Sequence, residues 1–473
     1  MFVIRRAKPE DAGTLLKLAK MVHFINLPAD REVIDQKIAW SRQCFLMAAE
    51  NQSALAPESP SPKGKSKAKT TPSGKRTSAA ANGHTVALAD ASAAISSAHS
   101  PALRSQASAQ HPATGQISLG LRDLTGRSPL FVFTMEEIQD AADARPAAAS
   151  SAHTRPPGGS VIGTCQIIAS ASSPGLPNLS LELKRVQKFS ESLQMGVSHV
   201  TAQLHLDDTG PTEIGGLILQ PSFRNHRAKL GRFLSLVRFH FIALHRGFFA
   251  PRLLAEMMGP VTADGQTPFW DGFTRPFINL SYEDADRFCQ ESKEFILALF
   301  PREVLYLTLI PPDARACVAQ VGEETIPARR MLEKLGFTYT SRIDPFDGGP
   351  HLECATDEVA LIRATRRLNL GAALDDAKAA ALAARAIVST IDDDGEFRAV
   401  DSVFMLDRAG RLQIPAVALG ALGAAPGASC GFTPFETPAA PAGADGAVAR
   451  PTTKAPHAAA PRAKNSRTKK TAR

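Results

Sequence analysis

Apolar positions along the chain follow two periods. Residues 2–4 read as a strand and Pro9-Glu10-Asp11 as a turn, after which Ala12, Leu15, Leu16, Leu18, Ala19 and Val22 fall on one side of a helix. Strand patterns return at 130–134 and 161–169, like a hairpin whose connection is inflated by an Ala-, Pro- and Gly-rich patch. Residues 212–219 form a β segment closed by Gln220-Pro221, because proline has no N–H to continue a ladder. A helix is expected over 228–244, with Leu230, Phe233, Leu234, Val237, Phe241 and Leu244 spaced by three or four and Gly247 as its stop. A strand at 252–257, a helix at 326–335 and a strand at 337–341 follow. Alternation of this kind predicts a mixed α/β domain. Short strand-like pieces at 400–405 and 412–419 predict a small C-terminal β module.

Composition changes this picture in two places. Residues 51–115 are a Ser, Ala, Pro and Lys tract, and residues 436–473 revert to Pro, Ala and Lys; both are too poor in large apolar side chains to offset their ordering entropy. The expected organisation is therefore a domain started by residues 1–50, a disordered basic insertion at 51–115, the body of the domain at 116–375, a β-rich module at 376–435 and a disordered basic tail at 436–473. The net charge of +8 belongs to these tracts: 51–115 carries +5 and 446–473 carries +8, leaving −5 for the rest. Specific nucleic-acid binding is not expected, since the basic runs lack interleaved aromatics and a folded reading element. Cys44, Cys165, Cys289, Cys317, Cys354 and Cys430 show neither C-x-x-C nor metal-ligand spacing with His, so no disulfide framework or metal site is expected. The start turns charged at Arg5 without an apolar secretory core, and the uncharged stretch 414–432 is too rich in Pro, Ala and Gly for a membrane span. A reducing, cytoplasmic setting is expected, with no membrane partner.

Two segments carry candidate chemistry. The loop after the 212–219 strand bears Arg224, Arg227, Lys229 and Gly231 and opens a helix, an arrangement that suits an anion: free N–H groups and the positive dipole end face it, and the cations add charge-assisted bonds. A solvated helix start is the plainer alternative. Further on, Pro327-Ala-Arg-Arg-Met-Leu-Glu-Lys-Leu-Gly-Phe337 is an amphipathic helix leading into a strand. The combination resembles the GNAT acyltransferases, which bind acyl-CoA. The resemblance implies an α/β fold with a mixed sheet flanked by helices, a pyrophosphate on the basic loop, and pantetheine beside the preceding strand.

The resemblance narrows on longer strings. Ala255-Glu256-Met257 with Gly259, Asp264-Gly265, Pro268-Phe269-Trp270, Ala319-Gln320-Val321 with Thr325, and Phe346-Asp-Gly-Gly-Pro-His-Leu-Glu-Cys354 are similar to the bacterial arginine N-succinyltransferases. Membership implies transfer of succinyl from succinyl-CoA, a co-substrate and not a resident cofactor, to the α-amino group of L-arginine, with ornithine as a second acceptor. It also implies succinyl-CoA contact at Leu217. A departure accompanies the match: the family places a proton-donating histidine after the Gln-Val pair, where this chain has Gly322. Glu323 or Glu324 takes over proton transfer, or solvent does, or the activity has changed. The alternative function is a degenerate, acyl-CoA-binding subunit; as a partner, the chain is expected in a homo-oligomer or in a hetero-oligomer with a homologous subunit.

Amide formation from a thioester needs a neutral amine, a donor for the developing oxyanion and a proton for the thiolate. Backbone N–H groups from Leu217 to Leu219 meet the second need if that strand bulges. Glu256, at a strand end, is a candidate base, or else a partner for the substrate's cations. Asp347 and Glu353 suit a guanidinium, with turn formation by Asp347-Gly348-Gly349 the plainer account. His351 occupies the variable position of the shared string and is a further substrate-binding candidate, while His226 lies in the proposed phosphate loop. His240 and His245, five apart on one helix, are expected to pack.

Overall fold

The computed structural model describes residues 1–21, 28–54, 127–138, 160–172, 175–262 and 265–435. All of these lie in one unit, Met1–Glu436. The expected tail, the second unit Thr437–Arg473, and most of the expected insertion lie outside the described residues.

The strands are β1 (Phe2–Arg6), β2 (Leu130–Glu137), β3 (Ser160–Ile168), β4 (Asn178–Ser190), β5 (Met195–Asp207), β6 (Thr212–Leu219), β7 (Arg252–Glu256), β8 (Leu305–Tyr306), β9 (Thr338–Ile343), β10 (Pro350–Ala355), β11 (Arg366–Asn369), β12 (Arg385–Ile391), β13 (Phe397–Val403), β14 (Met405–Leu406), β15 (Leu412–Gln413) and β16 (Ser429–Pro434). Fourteen of them share one sheet in the order β11-β16-β12-β13-β1-β2-β3-β6-β7-β10-β9-β4-β5-β8. Its pairs are antiparallel except β6 with β7, which run parallel. Parallel neighbours need a crossover. Here the crossover contains a fifteen-residue helix, so the sheet is mixed and the α/β expectation holds.

Among the described residues the helices of eight or more residues are α1 (Ala12–Lys20), α2 (Arg31–Ala54), α3 (Leu230–Leu244), α4 (Tyr282–Glu291) and α5 (Ile326–Lys334). α3 is the crossover, and its residues from Phe233 to Ile242 are buried on all sides, as expected of a helix apolar around its circumference. Phe241 of α3 meets Phe45 of α2, Phe133 and Phe397 edge-on at centroid distances of 5.3 Å. His240 is also buried, with Nδ1 on Thr433 Oγ1 at 2.5 Å and Nε2 on Ser389 Oγ at 2.6 Å. Burial pushes it down to about 3, so it stays uncharged and ties α3 to β12 and β16 as a packing residue.

Several elements depart from expectation. α2 has no counterpart among the expected elements and continues past Glu50 to Ala54. Its buried Ile34, Ile38, Ser41, Cys44, Phe45 and Ala48 follow helical spacing. The C-terminal strands form no separate layer: β13 pairs with β1 through Val3 opposite Val400, so β11, β12, β13 and β16 extend the main sheet. Within 412–419 only Leu412–Gln413 is strand; Pro415 then caps a helix over Ala416–Leu422, whose Ala and Leu residues favour it. Among the described residues no helix is long and apolar enough to cross a membrane.

Candidate active site

β6 and β7 touch only at their first residues, Thr212 opposite Leu253 and Glu213 opposite Leu254. Beyond that point β6 stays with β3 and β7 with β10, so the parallel strands part and a wedge opens between them. A bulge shapes the β6 side. Thr164 pairs with Ile218 and Gln166 with Gly215, leaving Gly216 and Leu217 opposite Cys165 alone. Gly216 has φ of +57°, and a Cβ there would lie 2.9 Å from the Gln166 side chain, so this position needs glycine on both counts. Below the bulge the buried Arg238 guanidinium donates to Gly215 O at 3.4 Å. Leu217 and Leu219 are half-buried on the strand.

The basic loop continues this wall. After Leu219 the chain makes a short helical turn at Pro221–Phe223 and enters α3 through Lys229, whose φ is +51°. The N–H groups of Arg232 and Phe233 donate to Lys229 O, while those of Leu230 and Gly231 have no hydrogen-bond partner among the described residues. Arg227 and Lys229 are exposed. Arg224 is half-buried and pairs with Glu324 at 2.7 Å, across to the turn that starts α5. Arg224, Arg227, Lys229 and Gly231 therefore gather at one helix start. Glu323 is exposed beside Glu324.

The opposite wall is built from the half-buried Glu256 and the buried Asp344 and Asp347. Glu256 ends β7, directly across from His351 of β10, and its Oε1 accepts from Asn178 Nδ2 at 2.8 Å. His351 Nε2 lies 4.0 Å from the same oxygen. Acceptor atoms of Glu256, Asp344 and His351 come within 4.8 Å of one another, close enough to hold a small cationic group. Burial raises Asp344 well above the carboxylate range, helped by the charges of Asp347 and Glu256. Burial also raises Asp347 to about 6, against the pull of the Gly259 and Gly349 N–H groups.

A tight turn fixes this wall. Asp347 Oδ2 accepts from Gly259 N–H at 2.9 Å and its Oδ1 from Gly349 N–H at 2.8 Å. Asp344 Oδ1 accepts from Phe346 N–H at 2.6 Å. A Cβ on Gly349 would lie 1.9 Å from Met257 O, and one on Gly259 2.3 Å from Asp347 O. Trp270 stacks on Phe346 at 4.9 Å. Gly322 joins the assembly by donating its N–H to Met258 O at 3.1 Å.

Of the expected acceptor-side residues, Glu256 and His351 come together, and Asp347 stands beside them as the clamp of the turn. Glu353 is held by Arg252 at 2.7 Å and Arg342 at 3.3 Å, next to Asp207. Asn178 and Asp344 were not among the expected site residues. Asp344 stands two residues before the Phe346–Cys354 string, whereas nothing in the sequence around Asn178 connects it to a distant strand end.

Residues 155–361 match the family described as arginine N-succinyltransferase beta subunit. An arginine N-succinyltransferase of Yersinia enterocolitica is 41% identical over 175 residues, which is 37% of this chain and 50% of that protein. Those of Enterobacter and Citrobacter koseri are 35% identical over 209 and 213 residues, 44% and 45% of this chain and 60% and 61% of theirs. The chain thus spans about half to three fifths of the length of the curated relatives it matches. The structure titled arginine/ornithine succinyltransferase subunit AI from Pseudomonas aeruginosa superposes with a TM-score of 0.61 at 19% identity, covering 92% of this chain and 99% of that one, so the two share a fold. The wedge and both its walls lie inside the segment that matches this family.

Proposed function

We propose that this chain is a succinyl-CoA-dependent N-acyltransferase that moves succinyl to the α-amino group of L-arginine, with ornithine as a further acceptor. The observation that carries this reading is the wedge itself, with a cation-bearing helix start and a bulged strand on one side and a buried acidic pocket on the other. In this reading Arg224, Arg227 and Lys229 with the free N–H groups at Leu230 and Gly231 hold the donor's pyrophosphate. The thioester lies along Leu217 and Leu219, and peptide N–H groups of the bulge steady the oxyanion, with Arg238 polarising the adjoining peptide through Gly215 O. Glu256 faces the amine and draws its proton away as nitrogen attacks. Glu323, exposed at the α5 turn, is the candidate to return a proton to the leaving thiolate.

The described cysteines are all free, which supports a reducing cytoplasm as the place of work. Assembly with another copy or a homologous subunit belongs to the same reading. Exposed Phe189, Leu193 and Met195 at the tip of the β4–β5 hairpin support it.

An acceptor screen tests the proposal. Purified protein, succinyl-CoA and single amines are mixed, and thiol release is followed. Release with arginine, and more slowly with ornithine, is expected; binding of succinyl-CoA without release for any amine would leave only an acyl-CoA-binding subunit.

A further inference from the structure

The pocket between Glu256, Asp344 and His351 is assembled by tertiary structure, from the end of β7, the turn after β9 and the start of β10. It is not one acidic stretch. His351 is 1% exposed, and its Nε2 is a buried polar atom with no hydrogen-bond partner among the described residues. Other polar groups here are matched: Asn178 reaches Glu256, and Asp344 and Asp347 take backbone N–H groups. A lone orphan among satisfied neighbours loses its hydration for nothing unless a donor arrives. The side chain of Glu256 is 20% exposed and is the open side through which one can come.

The shape of the acceptor set selects the donor. A guanidinium is a planar fork that favours two parallel bonds to one carboxylate, whereas a primary ammonium carries N–H bonds in three directions from one nitrogen. Here two carboxylates and an imidazole from separate elements converge within 4.8 Å. We propose that this pocket seats the α-ammonium group of the amino-acid acceptor, Glu256, Asp344 and His351 each taking one of its N–H bonds. The proposal rests on the acyl-transfer reading and names how that site recognises its nucleophile.

The acyl transfer then runs as a balanced exchange of one N–C bond for one C–S bond. One ammonium proton passes to His351 Nε2 or to a Glu256 oxygen. The freed nitrogen lone pair forms a bond to the thioester carbon, and the C–S bond breaks. The second nitrogen proton passes to solvent as the amide forms and the thiolate takes one up from solvent, so that, once the first proton is also passed on, one proton is released overall for each amide and thiol formed. Burial lowers His351 below the imidazole range, against Glu256 and Glu353 and together with Arg342 and Lys293, so the ring meets the ammonium uncharged. Asp344, raised by burial, ionises as the cation arrives.

The test uses full-length protein with succinyl-CoA and arginine, and Nα-acetylarginine, whose α-nitrogen carries no charge, as a competitor. Asp344→Asn and His351→Leu are expected to raise the KM for arginine about tenfold each, leaving the KM for succinyl-CoA and the weak inhibition by Nα-acetylarginine unchanged. His351→Gln, which restores an acceptor but no base, is expected to recover most of the KM and little of the kcat. Thermal midpoints identify any variant that fails to fold, and His351→Gln then carries the test. An arginine KM unmoved in all three variants of a working enzyme overturns the pocket assignment while the transferase stands. A divalent ion, added as Mn2+ or Zn2+, that binds wild type and competes with arginine also overturns it. If wild type transfers no succinyl at all, the transferase reading fails by itself; calorimetry of arginine against Nα-acetylarginine then decides the pocket, equal affinities counting against it.

Discussion

The β6 wall offers exposed cations and N–H groups left over by a bulge and a helix start, whereas the β7–β10 wall offers buried acids held by a turn with no spare room. Arg227 and Lys229 are solvated, and the Arg224–Glu324 pair bridges two exposed turns. Across the wedge, Asp344, Asp347 and His351 are all buried, and Asp347 binds backbone on both oxygens. Charge held in water is worth little until a ligand replaces the solvent, while charge held in the interior is costly and must be positioned by everything around it. The first wall should therefore tolerate change and express it as affinity. The second should be brittle and express it as stability, turnover or the KM for the acceptor.

Gly349→Ala should break the brittle wall most severely. Its Cβ meets backbone at 1.9 Å and 2.7 Å, which no side-chain rotation relieves. A loss of more than about 3 kcal/mol in urea unfolding, with no measurable transfer, is expected. Next comes Glu256→Gln, which keeps the Asn178 contact but removes the charge; kcat should fall about a hundredfold with a nearly unchanged thermal midpoint.

Asp347→Asn sharpens the contrast through pH. A carboxyl raised to about 6 when folded, against about 3.9 unfolded, adds stability that is full below the unfolded value and is lost as pH climbs through the folded one. The stability gap between wild type and Asp347→Asn should thus be widest near pH 4 and shrink as pH passes about 6. Urea midpoints across that window read it.

On the tolerant wall, replacing Arg227 and Lys229 together by Ala should raise the KM for succinyl-CoA several-fold with kcat retained, an effect that fades at high salt. Smallest of all, Glu324→Gln should lower that KM by about twofold, because Arg224 no longer has to leave a carboxylate to meet the donor. A larger effect from Glu324→Gln than from the double Ala variant would invert the comparison.

The tolerant wall was the more legible in sequence. Its chemistry is local: strand, Pro221, basic loop and α3 succeed one another between Thr212 and Leu244, and period and punctuation identify each. The bulge was anticipated only as a condition, since Gly215-Gly216 permits it but the pairing with β3 creates it. The brittle wall depends on contacts between distant segments. Asn178 reaches Glu256 across 78 residues, and His351 faces Glu256 only because β10 inserts between β7 and β9. Glu353 is a strand residue whose arginine partners come from other strands, which its own neighbourhood does not reveal. The C-terminal strands misled for a related reason: short pieces read alone suggest a module, and only the β1–β13 pairing joins them to the main sheet.

Product analysis tests the central claim most directly. Full-length protein incubated with succinyl-CoA and arginine should yield free CoA and N-succinylarginine in equal amounts, with fragmentation placing the succinyl group on the α-nitrogen. CoA released without a succinylated amine, or succinyl found on another nitrogen of arginine, would contradict the account.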